Sequence, residues 1–254
     1  MSFVKTQAEL DRYYGLGVRR FTGAQMMGVM FQTRPEIVVG LLPPPLAPTD
    51  SPDGLIFIAQ YPETNLGPGY REAALYLKCQ YRGEAGTYCL SMPITAEARM
   101  HNGRDIFGLP KKLADIHFAR EGDQVHGYVE RAGVRFVEIS LKLLGNLPNA
   151  PETGPTFLFK AMPRIDLQPG FDGPVFLAKQ RTLVAARQFE IGVPEIVLRP
   201  SPTDPWAEVE IVTIMAGFCM VADNTMLPGE ILGEVDAAAF LPHYFKMTDF
   251  ATGD

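Results

Sequence analysis

Punctuation by glycine and proline restricts this fold more than any other feature of the sequence. The chain carries 24 glycines and 22 prolines in 254 residues, spread along its whole length. Proline fixes φ and removes a backbone donor, and glycine weakens any helix or strand interior that contains it. A chain so interrupted is built from many short strands joined by turns. None of the interruptions gathers into a flexible linker, so residues 1–254 read as one domain. Aliphatic and aromatic residues reach 46%, enough for a substantial core, which excludes wholesale disorder.

The runs between these marks predict the elements. Residues 35–42 read as a short helix, stopped by Pro43-Pro44-Pro45. Residues 54–61, 70–82 and 87–95 read as strands, the last two joined by a hairpin loop over 82–86. Residues 96–102 make one or two helical turns. Strands resume over 113–120, 125–131 and 134–144, with turns at 121–123 and 132–133; residues 125–131 and 135–141 alternate with a period near two, as half-buried strands do. Further strands are expected at 157–162, 175–189, 195–198 and 207–221, and a C-terminal helix within 228–245. Strands and helices do not alternate and there is no glycine-rich phosphate loop, which excludes a doubly wound nucleotide-binding sheet. The expected fold is α+β and mainly β: antiparallel strands closed into a barrel or cone around an apolar pocket, with a few peripheral helices.

Net charge is −6 and the isoelectric point about 5.3. That balance does not attract phosphate backbones or anionic lipid, so neither nucleic acid nor membrane is an expected partner. No apolar run approaches the roughly 18 residues of a spanning helix, and the first ten residues lack the hydrophobic region of a signal peptide. A cytoplasmic location is expected. Cys79, Cys89 and Cys219 lack metal-site spacing and read as buried thiols; Cys79 and Cys89 have the spacing to face each other across a hairpin but would stay reduced there. His101, His117, His126 and His243 form no close pair in the sequence, so no metal is expected.

The segment Gly103-Arg-Asp-Ile-Phe-Gly-Leu-Pro-Lys-Lys-Leu-Ala114 carries the chemistry. On composition alone two adjacent lysines read as a solvated pair. These two lie between apolar stretches, and in an extended chain neighbouring side chains point to opposite faces. One lysine then enters the pocket and the other leaves it. An ammonium moved into apolar surroundings loses hydration, which favours the free amine. A free amine condenses with a ketone to give an iminium, an electron sink for breaking a neighbouring bond.

This segment resembles the Gly-Arg-Glu…Pro-Lys-Lys motif of the acetoacetate decarboxylase-like superfamily, whose decarboxylase is itself a standard example of a lysine activated in this way. Leu41-Leu-Pro-Pro-Pro-Leu46 is similar to the family's Val-Val-Pro-x-Pro-Leu stretch, Leu66-Gly-Pro-Gly-Tyr-Arg-Glu72 to its Leu-Gly-x-Tyr-x-Glu segment, and Gly86-Thr-Tyr-Cys-Leu-Ser-Met92 to its Gly-x-Tyr-x-x-x-Met strand. The likeness spans about residues 20–120; the C-terminal half matches only in general character. It implies that Lys111 is the Schiff-base lysine, Lys112 its charge-bearing neighbour and Glu72 a proton carrier. Arg104 then supports the loop, and Tyr70 and Met92 line the pocket. It also implies no cofactor, keto-acid and aldehyde partners, and a homo-oligomer (a dimer, tetramer or larger).

The departures from the family pattern are as informative. Decarboxylases of this family hold an arginine and a second glutamate near the lysine. Here the arginine's place falls on Ala24 or Gln25, and the glutamate's on Ile56 or Phe57; Asp105 replaces the motif glutamate. The amine is retained and the charges tied to acetoacetate are lost. An aldolase-dehydratase acting on pyruvate or a related 2-oxo acid is therefore expected first and acetoacetate decarboxylation second. A strand-rich barrel that only binds a small apolar ligand stands as a third alternative.

Overall fold

The computed structural model describes residues 2–249. Among these, thirteen strands share one sheet: β1 (Arg19–Gln32), β2 (Asp53–Thr64), β3 (Gly67–Tyr81), β4 (Glu84–Ile94), β5 (Lys111–Leu113), β6 (Asp115–Glu121), β7 (Gln124–Arg131), β8 (Val134–Asn146), β9 (Thr156–Lys160), β10 (Val175–Gln180), β11 (Thr182–Leu198), β12 (Thr213–Met226) and β13 (Glu230–Val235). Four α-helices lie around it: α1 (Gln7–Tyr14), α2 (Pro35–Leu41), α3 (Glu97–Asn102) and α4 (Ala237–Tyr244). The turns follow from glycine chemistry. At Arg82-Gly83 and Ala132-Gly133 both residues take positive φ, the geometry whose twist suits a two-residue hairpin. The β3–β4 turn is thus tighter than the loop expected over 82–86.

The sheet runs β13-β10-β9-β4-β3-β2-β1-β12-β11-β8-β7-β6, with β5 pairing β4 off this path. The expected closure does not occur, because β6 and β13 are not paired with each other. Instead the β6–β8 end folds back over the middle of the sheet. Ile116, Phe118, Val125 and Val129 join Met27, Ile58, Leu75 and Leu77 in the main core. At Gly127 the fit is so close that a Cβ would stand 3.0 Å from the Met27 sulfur. Packing of side chains does here what backbone closure does in a barrel. A smaller cluster, including Phe21, Ala24, Phe57, Tyr61, Tyr70 and Met92, forms apart from this core.

Other expectations also shift. Residues 19–32, not assigned from sequence, form β1, which pairs with β2 and β12. Residues 175–189 are not one strand; β10 ends at Gln180, and β11 begins at Thr182 and runs on through 195–198. The 228–245 segment is part strand, β13, before Asp236 caps α4 by accepting from the Ala238 and Ala239 N–H groups. Cys79 pairs across the hairpin with Gly86, and Cys89 with Tyr76, so the two cysteines do not face each other. All three cysteines are buried free thiols. His117 and His126 do approach, with ring centroids 5.9 Å apart across β6 and β7. No cluster of three or more His, Cys, Asp or Glu that could hold a metal ion exists among the described residues.

Candidate active site

The Lys-Lys strand is set by the turn before it. After α3 the chain makes a π-helical turn over Gly103–Phe107, which Gly108 ends in the left-handed region at φ 76°. The Gly108 N–H donates to the Arg104 carbonyl at 3.0 Å and the Leu109 N–H to the Gly103 carbonyl at 3.1 Å. The Pro110 carbonyl then accepts from Met92 N–H, starting the parallel pairing that sets Lys111 beside Met92 and Lys112 beside Pro93.

Alternation along β5 sends the two lysines apart. Lys111, 5% exposed, forms an ion pair with Glu72, 6% exposed, which lies on β3 opposite Ala59 and Ile94. The Lys111 Nζ lies 6.0 Å from the Tyr70 ring centroid, and the Tyr61 and Tyr70 rings are 5.0 Å apart. Burial holds the hydroxyls of Tyr61, Tyr70 and Tyr76 well above the ordinary tyrosine pKa, and the Glu72 charge adds to the effect. All three are therefore neutral phenols. Burial likewise pushes the Cys89 thiol up to about 12. A lysine, a carboxylate and neutral hydroxyls are thus gathered among buried apolar side chains.

Lys112 leaves on the other face. Its Nζ donates to the Thr203 carbonyl and to Asp249 at 3.0 Å, and lies 3.4 Å from Asp204. Arg131 pairs with the same two acids. Lys112 and Arg131 thus share two carboxylates on the face of β5 turned away from Glu72. A cavity of about 370 Å³ opens on the Lys112 side, bounded also by Lys246 and Trp206.

The glycine of the motif has a steric reason that spacing alone does not give. Gly103 has ordinary helical φ, but a Cβ there would stand 2.4 Å from the Lys111 Cε and 2.6 Å from its Cδ. Gly103→Ala should fold and yet displace the amine. A displacement near 1 Å typically costs about 10²-fold in rate, so kcat should fall by that order while the melting temperature changes little. Unchanged kcat in steady-state assays would remove Gly103 from the site.

Of the positions the sequence singled out, Ala24 and Phe57 belong to the apolar cluster that holds Tyr61 and Tyr70, whereas Ile56 belongs to the main core on the other face of β2. Phe57 stacks on Tyr76 with centroids 6.0 Å apart. Tyr70 and Met92 lie in the same cluster. Arg104 is half-buried, and its guanidinium makes no hydrogen bond among the described residues; its charge is felt at the Tyr244 hydroxyl, opposing the upward push of burial. Tyr61 was not singled out from sequence, although period two along β2 places it on the face of Phe57 and Ala59. Tyr244 packs in an aromatic group with Phe171, Phe240 and Phe245, and Glu230 pairs with Lys179 at 3.5 Å.

The fold is thus mainly β, with a buried lysine–carboxylate pair held beside an aromatic cluster. The family model described as acetoacetate decarboxylase (ADC) matches residues 5–235, and the chain belongs to that family of lyases. An acetoacetate decarboxylase of Burkholderia cenocepacia is 25% identical over 231 residues, covering 86% of this chain and 90% of the relative. Among solved structures, an acetoacetate decarboxylase from Legionella pneumophila superposes with a TM-score of 0.78 at 20% identity, covering 92% of this chain and 99% of that one. The enduracididine biosynthesis enzyme MppR, complexed with the condensation product of pyruvate and imidazole 4-carboxaldehyde, superposes with a TM-score of 0.72 at 16% identity, covering 85% and 89%.

Proposed function

We propose that this protein forms an imine between Lys111 and a 2-oxo acid and uses it to join pyruvate to an aldehyde with loss of water, or to run the reverse reaction. The observation that carries this reading is the surroundings of Lys111. The Lys111–Glu72 pair is buried, and the adjoining cluster holds Phe57 and Ala24; the sequence resemblance puts the decarboxylases' second glutamate at Ile56 or Phe57 and their arginine at Ala24 or Gln25, all uncharged here. MppR, which shares the fold, carries a pyruvate–aldehyde condensation product, and this supports the same chemistry.

In this mechanism Glu72 takes a proton from Lys111, leaving a neutral amine. The amine adds to the pyruvate C2 carbonyl, and Glu72 returns its proton to the departing hydroxyl, so that water leaves to give an iminium and Glu72 is again a carboxylate. Glu72 then removes a C3 proton, and the enamine attacks the aldehyde carbon. Protonation of the new alkoxide, loss of water and hydrolysis of the imine return the amine and release a conjugated 2-oxo acid. Pyruvate and aldehyde thus become product plus one water. The neutral phenols of Tyr61 and Tyr70 supply hydrogen-bond donors beside Glu72.

Glu72→Gln keeps the shape and removes the ionisable group. It should cost about 10²–10⁴-fold in turnover, the usual contribution of general acid–base catalysis, while borohydride still traps the imine. Unchanged turnover would make Glu72 a bystander. Acetoacetate decarboxylation is the second reading, favoured by the activity named for the curated relatives. A product screen by mass spectrometry separates the two, with acetoacetate alone in one arm and pyruvate plus a panel of aldehydes in the other.

A further inference from the structure

We propose that Lys246 is a second carbonyl-reactive amine, which condenses with small apolar aldehydes or ketones in the cavity behind β4 and β5. This goes beyond the Lys111 reaction and does not depend on it. The cavity, about 370 Å³, is of the size that holds small ligands, and Leu41, Leu75, Leu90 and Pro242 make much of its wall apolar. Lys246 lines it. Its Nζ donates to the Cys89 carbonyl at 2.9 Å, meets the Tyr88 hydroxyl, and lies 3.9 Å from the Tyr88 ring centroid.

Lys111 and Lys112 each have a carboxylate partner, whereas Lys246 has none among the described residues. Lys246 is half-buried, and an ammonium drawn out of water without a countercharge is costly, so the amine loses its proton more easily. Desolvation brings the Lys246 pKa down to about 7. The groups around it do not reverse this. Burial keeps Tyr88 and Cys89 protonated on β4, and His243 on α4 is held below its usual pKa, chiefly by burial and then by the Lys246 charge. Lys112 and Asp204 across the cavity pair with each other, and Glu208 on its wall is exposed.

The step balances without oxidant or cofactor. The Nζ lone pair adds to the carbonyl carbon, and both amine hydrogens leave with the carbonyl oxygen as one water, so that C=N replaces C=O. The Tyr88 phenol is placed to pass a proton to the departing oxygen and to recover one from nitrogen.

The test is reductive alkylation of the full chain with benzaldehyde and cyanoborohydride at pH 7, stopped at low occupancy, with each modified lysine mapped by peptide mass spectrometry. A pKa near 7 against an ordinary lysine value near 10.4 gives roughly 10³ more free amine. Allowing for lower nucleophilicity and restricted access, Lys246 should react at least about tenfold faster than an exposed lysine such as Lys5. Tyr88→Phe should slow Lys246 by about tenfold or more and leave Lys5 unchanged. Labelling of Lys246 should persist in Lys111→Ala, which separates this site from the first. Lys246 reacting no faster than Lys5 in the folded wild-type protein, or an unaltered Lys246 rate in a folded Tyr88→Phe variant, would overturn the proposal.

Discussion

Lys111→Ala should abolish borohydride-dependent labelling by pyruvate and lower turnover by at least about 10⁴-fold, the scale on which removal of a covalent nucleophile is felt. The reason is geometric as well as chemical. Lys111 is the lysine that shares the buried face with Glu72, and Lys112 points to the opposite side of the strand. Lys112→Ala should therefore keep the pyruvate adduct at Lys111. Its cost should appear in stability instead, because Asp204, whose side chain is fully buried, loses one of its two cationic partners. Breaking a buried pair of this kind destabilises by about 3 kcal/mol, measurable by urea denaturation. A pyruvate adduct mapped to Lys112 in the Lys111→Ala protein would reverse the assignment.

Acetoacetate should be a poor substrate, with kcat/KM below about 10 M⁻¹s⁻¹, roughly 10³-fold under ordinary enzyme efficiency. Expelling CO2 requires the carboxylate to be held out of the iminium plane. Phe57 and Ala24, in the apolar cluster with Tyr70, offer no charge for that purpose. Orientation and charge placement each contribute several kcal/mol of barrier lowering, so losing both is severe. Pyruvate with an aromatic or unsaturated aldehyde should instead give a conjugated 2-oxo acid, followed by its ultraviolet absorbance. Rapid CO2 release from acetoacetate, with no absorbance change for any pyruvate–aldehyde pair, would establish the decarboxylase reading.

Much of this was legible in the residues. The hairpins at Arg82-Gly83 and Ala132-Gly133 follow from local backbone preference, and so do the stop at Pro43 and the opposite facing of Lys111 and Lys112. A strand's period of two needs no tertiary information. Strand β1 escaped notice because its apolar residues, among them Met26, Met27, Val29 and Met30, pack on both faces and are not cleanly alternating. The open sheet escaped notice because closure and side-chain packing both satisfy an edge, and only the fold-back of β6–β8 decides between them.

The sequence by itself determined that two lysines share a strand within apolar surroundings. Tertiary structure decided that Phe57 and not Ile56 joins the cluster of Tyr61 and Tyr70, that a Cβ at Gly103 would collide with the Lys111 side chain, and that Asp204 and Asp249 pair with Lys112. It also placed Lys246, more than a hundred residues away in the chain, against Tyr88 with no carboxylate among its described neighbours. Periodicity fixes which face a side chain takes, because that is a property of the local backbone. What meets it on that face depends on contacts distant in sequence, and these exist only once the sheet has curled.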